Sequence, residues 1–247
     1  MAKKPIKQQK EGAIEIGSME RKIEFKQRKF KLSEKQKNLL EICLRPETKI
    51  VFIAGPAGTA KTWTSIYAAL NLLANNRDLE LTYIRSIAES ADRGLGSLPG
   101  TVDEKFLPFL MPLEDKMEEI ITTPTIFNLR KDGVINALPV NFVRGSSWTN
   151  KVVALDEAQN FSKKELITLL TRIGENCKLF LSGDLMQSDV RNSGFAQFID
   201  CFDNPESVER GIHVFRFDDS DIVRSEILKF IVGKIDNMNK KGVKITS

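Results

Sequence analysis

Residues 55–62 read Gly-Pro-Ala-Gly-Thr-Ala-Lys-Thr, directly after the apolar run Ile50-Val51-Phe52-Ile53-Ala54. A segment with helical apolar spacing follows at Trp63, Ile66, Tyr67, Leu70 and Leu73. Strand, small-residue loop, Lys-Thr and helix in that order leave the backbone few options. The loop of Gly55, Pro56, Ala57, Gly58, Thr59 and Ala60 curls its N–H groups round an anion. Lys61 reaches the β- and γ-phosphates, the Thr62 hydroxyl ligates Mg²⁺, and the helix start adds its positive dipole end. The pattern G-x-x-x-x-G-K-[ST] asks for glycine where this chain has Ala60. At φ > 0 the alanine Cβ would cost about 1–2 kcal/mol; at φ < 0 the methyl group would be harmless and the phosphate-binding N–H kept.

A second signal lies about a hundred residues on. Val152-Val153-Ala154-Leu155-Asp156-Glu157 is an apolar run ending in two carboxylates, as a buried parallel strand delivering acids to the C-terminal edge of a sheet reads. Beside a phosphate-binding loop, Asp156 holds Mg²⁺ through its water shell and Glu157 is placed to orient or deprotonate an attacking water. Hydrolases need that second acid; many small-molecule kinases do not.

The 247 residues are enough for one large α/β domain with a full core. An apolar fraction of 41% and a charged fraction of 28% describe a soluble globular protein. No apolar run is long enough to span a membrane, and Met1-Ala2-Lys3-Lys4-Pro5 lacks the apolar stretch of a secretory signal. The odd number of cysteines (Cys43, Cys177, Cys201) in apolar surroundings, with no C-x-x-C, reads as reduced core residues of an intracellular protein. The single histidine, His213, excludes a His-cluster metal site and reads as packed in a strand. Residues 1–32 carry a net charge of +6 and the remainder −2. The basic arm is either a solvated tail or a contact for nucleic-acid phosphates.

Alternating elements predict a parallel sheet. Ser33-Glu34-Lys35-Gln36 is a capping box opening a helix to about Leu44. Strands are expected near 49–54, 79–85, 134–143, 151–155, 178–182 and 212–217, and helices near 61–75, 101–120, 163–173, 193–202 and 219–233. This gives a basic arm over 1–32, one core over 33–233 and a tail over 234–247. Between Arg85 and Pro108, Gly94, Gly96, Gly100 and Pro99 mark a loop leaving the ligand-binding edge. There Arg85, Arg93 and Lys105 are candidates to grip a phosphodiester backbone, with Phe106 available to stack on a base. The strand ending Leu181-Ser182-Gly183-Asp184-Leu185-Met186-Gln187 suits a γ-phosphate sensor, with Gln187 or Asp184 touching the attacking water.

Taken together, GPAGTAKT, ALDEAQN, LLTRIG, LSGDLMQ and DIVRS, at these spacings, resemble the PhoH-like proteins. The likeness spans roughly residues 33–233. It implies a three-layer α/β P-loop NTPase with a mostly parallel RecA-like sheet and helices on both faces, related to the first core of superfamily one helicases. ATP and Mg²⁺ are the implied cofactors. Under it, Gln36 matches a glutamine that recognises adenine, a role in tension with the capping box. Arg85 and the Arg144-Gly145 pair match nucleic-acid and family motifs, Gln159 falls in an Asp-Glu-Ala-Gln box, and Arg172 and Arg224 match arginines expected near the nucleotide. The absence of a fused nuclease-type domain means that RNA cleavage is not carried over. The single-core format resembles bacteriophage versions, with a cytoplasmic setting, the host's if phage-encoded.

With one P-loop and one core, an arginine neutralising developing charge has two possible sources. Arg224 could reach its own nucleotide, or a neighbour's in a head-to-tail ring, six-membered as the resemblance implies; an ion pair with Asp221 or Glu226 is the plainer alternative. Three functional readings stand: an ATPase acting on single-stranded RNA or DNA, an ATPase switch or assembly factor without nucleic-acid work, and a small-molecule phosphotransferase. Glu157 and Gln159 beside Asp156 speak against the third.

Overall fold

The computed structural model describes residues 25, 27–86, 102–143, 148–186 and 193–222, with four positions beyond, Ile227, Phe230, Ile231 and Lys234; for 102–108, 141 and 142 only the backbone is described. Arg93, Arg144, Gln187 and Arg224 lie outside these residues, and the side chains of Lys105 and Phe106 are likewise not described.

Six strands, β1 (Ile50–Ala54), β2 (Glu80–Arg85), β3 (Ile135–Pro139), β4 (Lys151–Asp156), β5 (Cys177–Gly183) and β6 (Ile212–Arg216), form one sheet in the order β3-β2-β4-β5-β1-β6. Every pairing is parallel. The central strands are continuous apolar runs because both of their faces are covered. On β1, Val51 and Ile53 point into one core, with Leu39, Ile66, Leu70 and Leu113. Ile50, Phe52 and Ala54 point into the other, with Phe161, Leu166, Phe195 and Ile199. The first face carries α1 (Glu34–Leu44), α2 (Lys61–Asn75), α3 (Val102–Ile120) and α4 (Thr123–Lys131); the second carries α5 (Lys163–Leu170) and α6 (Phe195–Phe202). A short α7 (Pro205–Glu209) leads into β6. The expected three-layer α/β architecture with a parallel sheet is therefore present.

Local chemistry accounts for the departures from expectation. The strand expected over 134–143 ends at Pro139, whose missing N–H cannot continue a ladder, and residues 140–143 turn into a 3₁₀ segment. The α4 helix, not expected, starts behind Thr122 with a proline in its first turn and has Arg130 and Lys131 in its last, all ordinary helix-end signals. The α5 helix stops at Leu170 instead of 173, because Ile173 forms a parallel bridge with Trp148. The helix expected over 219–233 starts later than 219: residues 219–221 form a 3₁₀ turn and Ile222 is extended, with ψ 113°, while Ile227, Phe230 and Ile231 are helical. Cys43 and Cys177 are buried as expected, but Cys201 is exposed. His213 sits half-buried on the edge strand β6.

The capping box at Ser33 forms in both directions. At its other end α1 has no basic residue in its last turn, and Lys178 of β5 supplies the charge instead. Its Nζ donates to the carbonyls of Cys43 at 3.3 Å, Arg45 at 2.5 Å and Thr48 at 3.0 Å, satisfying groups that a helix end leaves open. The described end of the basic arm lies on the core: the Arg28 N–H donates to Ile120 O at 2.9 Å, and the Phe30 ring sits edge-on to Trp63 at 4.7 Å. Among the described residues, no helix is long and apolar enough to cross a membrane.

Candidate functional site

At the C-terminal edge of the sheet, β1 ends at Ala54 and the loop 55–60 leads into α2. Gly55 is required there: a Cβ would stand 2.7 Å from Phe217 Cβ and 2.9 Å from its carbonyl oxygen, with φ at +155°. Thr59 is buried and donates to Pro56 O at 3.0 Å, tightening the loop. Ala60 has φ 61° and ψ 28°, the left-handed conformation in which its methyl group is strained by about 1–2 kcal/mol. The harmless alternative at negative φ is not the one adopted. Ala60 holds this geometry with no side-chain cap on α2, and its carbonyl accepts both the N–H and the hydroxyl of Thr64.

Lys61 Nζ donates to Gly55 O at 2.6 Å and Pro56 O at 2.7 Å. Burial lowers its pKa, and the charges of Asp184, Glu157 and Asp156 act in the other direction. The Thr62 hydroxyl donates to Asp156 Oδ1 at 2.6 Å, and the Tyr83 phenol donates to Asp156 Oδ2, also at 2.6 Å. Burial raises the Tyr83 pKa well above its usual value, with the Asp156 charge adding to it, so the phenol stays a donor. Parallel register makes this possible: Tyr83 pairs with Ala154 and Arg85 with Asp156.

Glu157 follows β4 in a left-handed conformation, φ 52°. Gln159 Nε2 donates to its Oε2 at 2.7 Å, and Arg85 Nη2 lies 3.9 Å from its Oε1. Gln159 Oε1 in turn accepts the Asp184 N–H at 2.9 Å. Asp184 is buried, and its Oδ1 accepts the Met186 N–H. Ser182 Oγ, on the same edge, is buried without a hydrogen-bond partner.

One cavity of about 680 Å³ opens at this edge. Ala57, Gly58, Ala60, Lys61 and Thr62 form its floor, and Arg85, Asp156, Glu157 and Asp184 one wall. Phe30, Lys31, Leu32 and Gln36 form another wall, and α3 contributes Asp115, Lys116 and Glu119. Gln36 is both cap and lining residue: its Oε1 accepts the Ser33 N–H at 3.0 Å. A carbonyl oxygen has two lone pairs, so capping does not exhaust it, and the expected conflict between its two roles is smaller than the sequence suggests.

The fold brings together Lys61, Thr62, Asp156, Glu157, Gln36 and Arg85, but not Arg172. That residue lies at the opposite edge of the sheet, because α5 runs back from the cavity toward the start of β4. Its carbonyl accepts the Trp148 N–H at 3.0 Å, just before β4 begins at Lys151, and it does not line the cavity. Lys105 falls on the first turn of α3, inside the helix expected near 101–120. Tyr83 and Phe30 were missed. A lone phenol in the apolar strand β2 was a usable signal for the first, and an aromatic within a basic arm for the second.

The donor set suits a nucleotide and a hard cation. The Thr62 hydroxyl and the Asp156 carboxylate present oxygen ligands side by side, as Mg²⁺ takes when the rest of its shell is water and phosphate. The unpartnered Ser182 hydroxyl adds a buried polar group at the same edge.

The sequence matches the family model described as PhoH-like protein over residues 30–236. It is 33% identical over 186 residues to a PhoH-like protein of Mycobacterium tuberculosis H37Rv, covering 74% of this chain and 51% of that one. To a Bacillus subtilis PhoH-like protein it is 30% identical over 190 residues, with 77% and 59% covered. The chain thus spans roughly half the length of these curated relatives. Among solved structures, the Pif1 helicase of Candida albicans aligns at a TM-score of 0.35 and 16% identity, covering 77% of this chain and 41% of the other.

Proposed function

The chain belongs to the PhoH-like family, and we propose that it binds ATP with Mg²⁺ in the cavity and hydrolyses it to ADP and phosphate. One observation carries the reading: Lys61 and Thr62 at the start of α2 meet Asp156 across the sheet edge, with Glu157 beside it on the cavity wall. Lys61 already donates to two loop carbonyls, so an arriving polyphosphate gives its ammonium stronger acceptors. Thr62 and Asp156 would hold Mg²⁺, which offsets charge on the phosphate oxygens. The N–H groups at the start of α2 orient the phosphates. Glu157 takes the proton of the attacking water, and Gln36 and Phe30 contact the base. Gln187 and Arg224 complete the site as sensor and charge-neutralising arginine.

We further propose that turnover depends on single-stranded nucleic acid held by Arg85, Arg93, Lys105, Arg144 and the basic arm, and that copies assemble head to tail in a ring, with Arg224 acting on the neighbour's nucleotide. Support comes from the position of Arg85 on the cavity wall, 3.9 Å from Glu157, where a polynucleotide contact would bear on hydrolysis directly. The test is phosphate release with and without single-stranded RNA and DNA, for the parent and for Glu157→Gln. Glu157→Gln should keep ATP bound while turnover falls about 10²–10⁴-fold. Parental turnover in that variant sinks the assignment, and ATPase activity indifferent to both polynucleotides leaves the nucleotide-switch reading.

A further inference from the structure

Gln159 is almost fully buried, yet both ends of its amide are committed to different strands. Its Nε2 donates to Glu157 Oε2 at 2.7 Å, at the end of β4, and its Oε1 accepts the Asp184 N–H at 2.9 Å, at the end of β5. Gly183 keeps room for this bridge, since a Cβ there would stand 3.0 Å from Gln159 Oε1 and 2.6 Å from the Phe195 ring. Glu157 is itself held left-handed, φ 52°, a conformation that costs about 1–3 kcal/mol for a residue other than glycine. Strain of this kind persists where neighbours over-determine it, and the amide is such a neighbour.

We propose that Gln159 is a positioning residue for hydrolysis. Its amide fixes one oxygen of the Glu157 carboxylate, leaving the other to meet the attacking water, and couples that carboxylate to the turn of residues 184–186. The base and the turn then move as one body. Loss of the turn's geometry on phosphate release swings Glu157 off the water without any contact between the two side chains. The proposal rests on the reading of Glu157 as the base.

Gln159→Glu is nearly isosteric and retains an acceptor for the Asp184 N–H, but sets a carboxylate against Glu157 Oε2. Two facing carboxylates repel one another, so the bridge to Glu157 is lost while the bond to the Asp184 N–H is kept. The kcat should therefore fall about tenfold or more, while nucleotide Kd, read by titration with a fluorescent ATP analogue, stays within about threefold. Gln159→Leu removes both bonds and should lower kcat about tenfold or more at unchanged Kd.

Gln159→Glu serves as the control for folding, because the buried N–H of Asp184 keeps its partner. A parental kcat in that variant at unchanged Kd overturns the proposal, whatever happens to thermal stability. Glu157→Gln run in parallel separates the two failures. If it turns over ATP normally, the base assignment falls; if it is dead while Gln159→Glu keeps the parental kcat, only the bridge falls.

Discussion

Lys61 and Lys178 stand at opposite edges of one sheet and use the same chemistry. Each donates its ammonium to main-chain carbonyls, two for Lys61 and three for Lys178, and burial lowers the pKa of both. Their surroundings differ. Lys178 ties the end of α1 to the turn that follows it, with all three donors used on carbonyls. Lys61 draws on carbonyls of a loop that lines a cavity, with Asp184, Glu157 and Asp156 as the nearby charges. A buried lysine is thus structural or functional according to whether its acceptors can be exchanged for something better. Backbone strain does not divide the edges: left-handed Ala60 and Glu157 lie on the side of Lys61, left-handed Asn150 and Asn176 on that of Lys178.

The sharpest way to break the comparison is to delete both charges in turn. Lys61→Ala should weaken ATP binding by about a hundredfold or more, as expected for a lost charge-assisted contact to phosphate, with the unfolding midpoint unchanged or raised. Lys178→Met should do the reverse, costing about 2–3 kcal/mol of stability in denaturant titration while the folded fraction binds ATP normally. Equal loss of stability in both variants would mean that Lys61 is a loop staple and not a free hand.

A smaller effect is expected at Ala60. Ala60→Gly relieves the left-handed strain and should stabilise the protein by about 1 kcal/mol, with ATPase activity within a few-fold. A destabilised variant would show that the methyl group packs usefully against its neighbours.

The sequence made the site edge far more legible than the opposite one. Glycines, Lys-Thr and terminal carboxylates are needed by the chemistry of phosphate binding, and such needs leave fixed spacings. The Thr62–Asp156 contact follows from motif order alone once the sheet is parallel. Lys178 capping α1 was invisible, because it depends on β5 lying beside β1, and nothing local to Cys177-Lys178-Leu179 says which strand is its neighbour. The placement of Arg172 was illegible for a related reason: matching a motif fixes its place in the chain order but not the edge to which α5 returns it. Gln159 was visible as a motif letter, whereas its bridge to Asp184 required the register of β4 against β5.

The smallest predicted effect concerns the outer side of α1. Lys35 Nζ lies 2.5 Å from Asp218 Oδ2 and 2.6 Å from Asp221 Oδ2, and the first bond is the main reason the Asp218 carboxyl sits at about 2. An unfolded aspartate titrates near 3.9. The lowered folded value therefore contributes stability that is present above about pH 4 and fades as pH falls through about 2. Lys35→Ala should raise the Asp218 value toward the ordinary range in an NMR titration and leave stability at pH 7 nearly unchanged, as exposed pairs do. A carboxyl that stays at about 2 without Lys35 would credit Ser220 instead.

That joint has a mechanical consequence. Lys35 and Gln36 are consecutive on α1, about 100° apart round the helix axis; one grips the segment that leads on to Arg224, and the other faces the cavity. Ion pairs near the surface loosen with ionic strength, so salt sets how firmly the start of α1 is tied to residues 218–221.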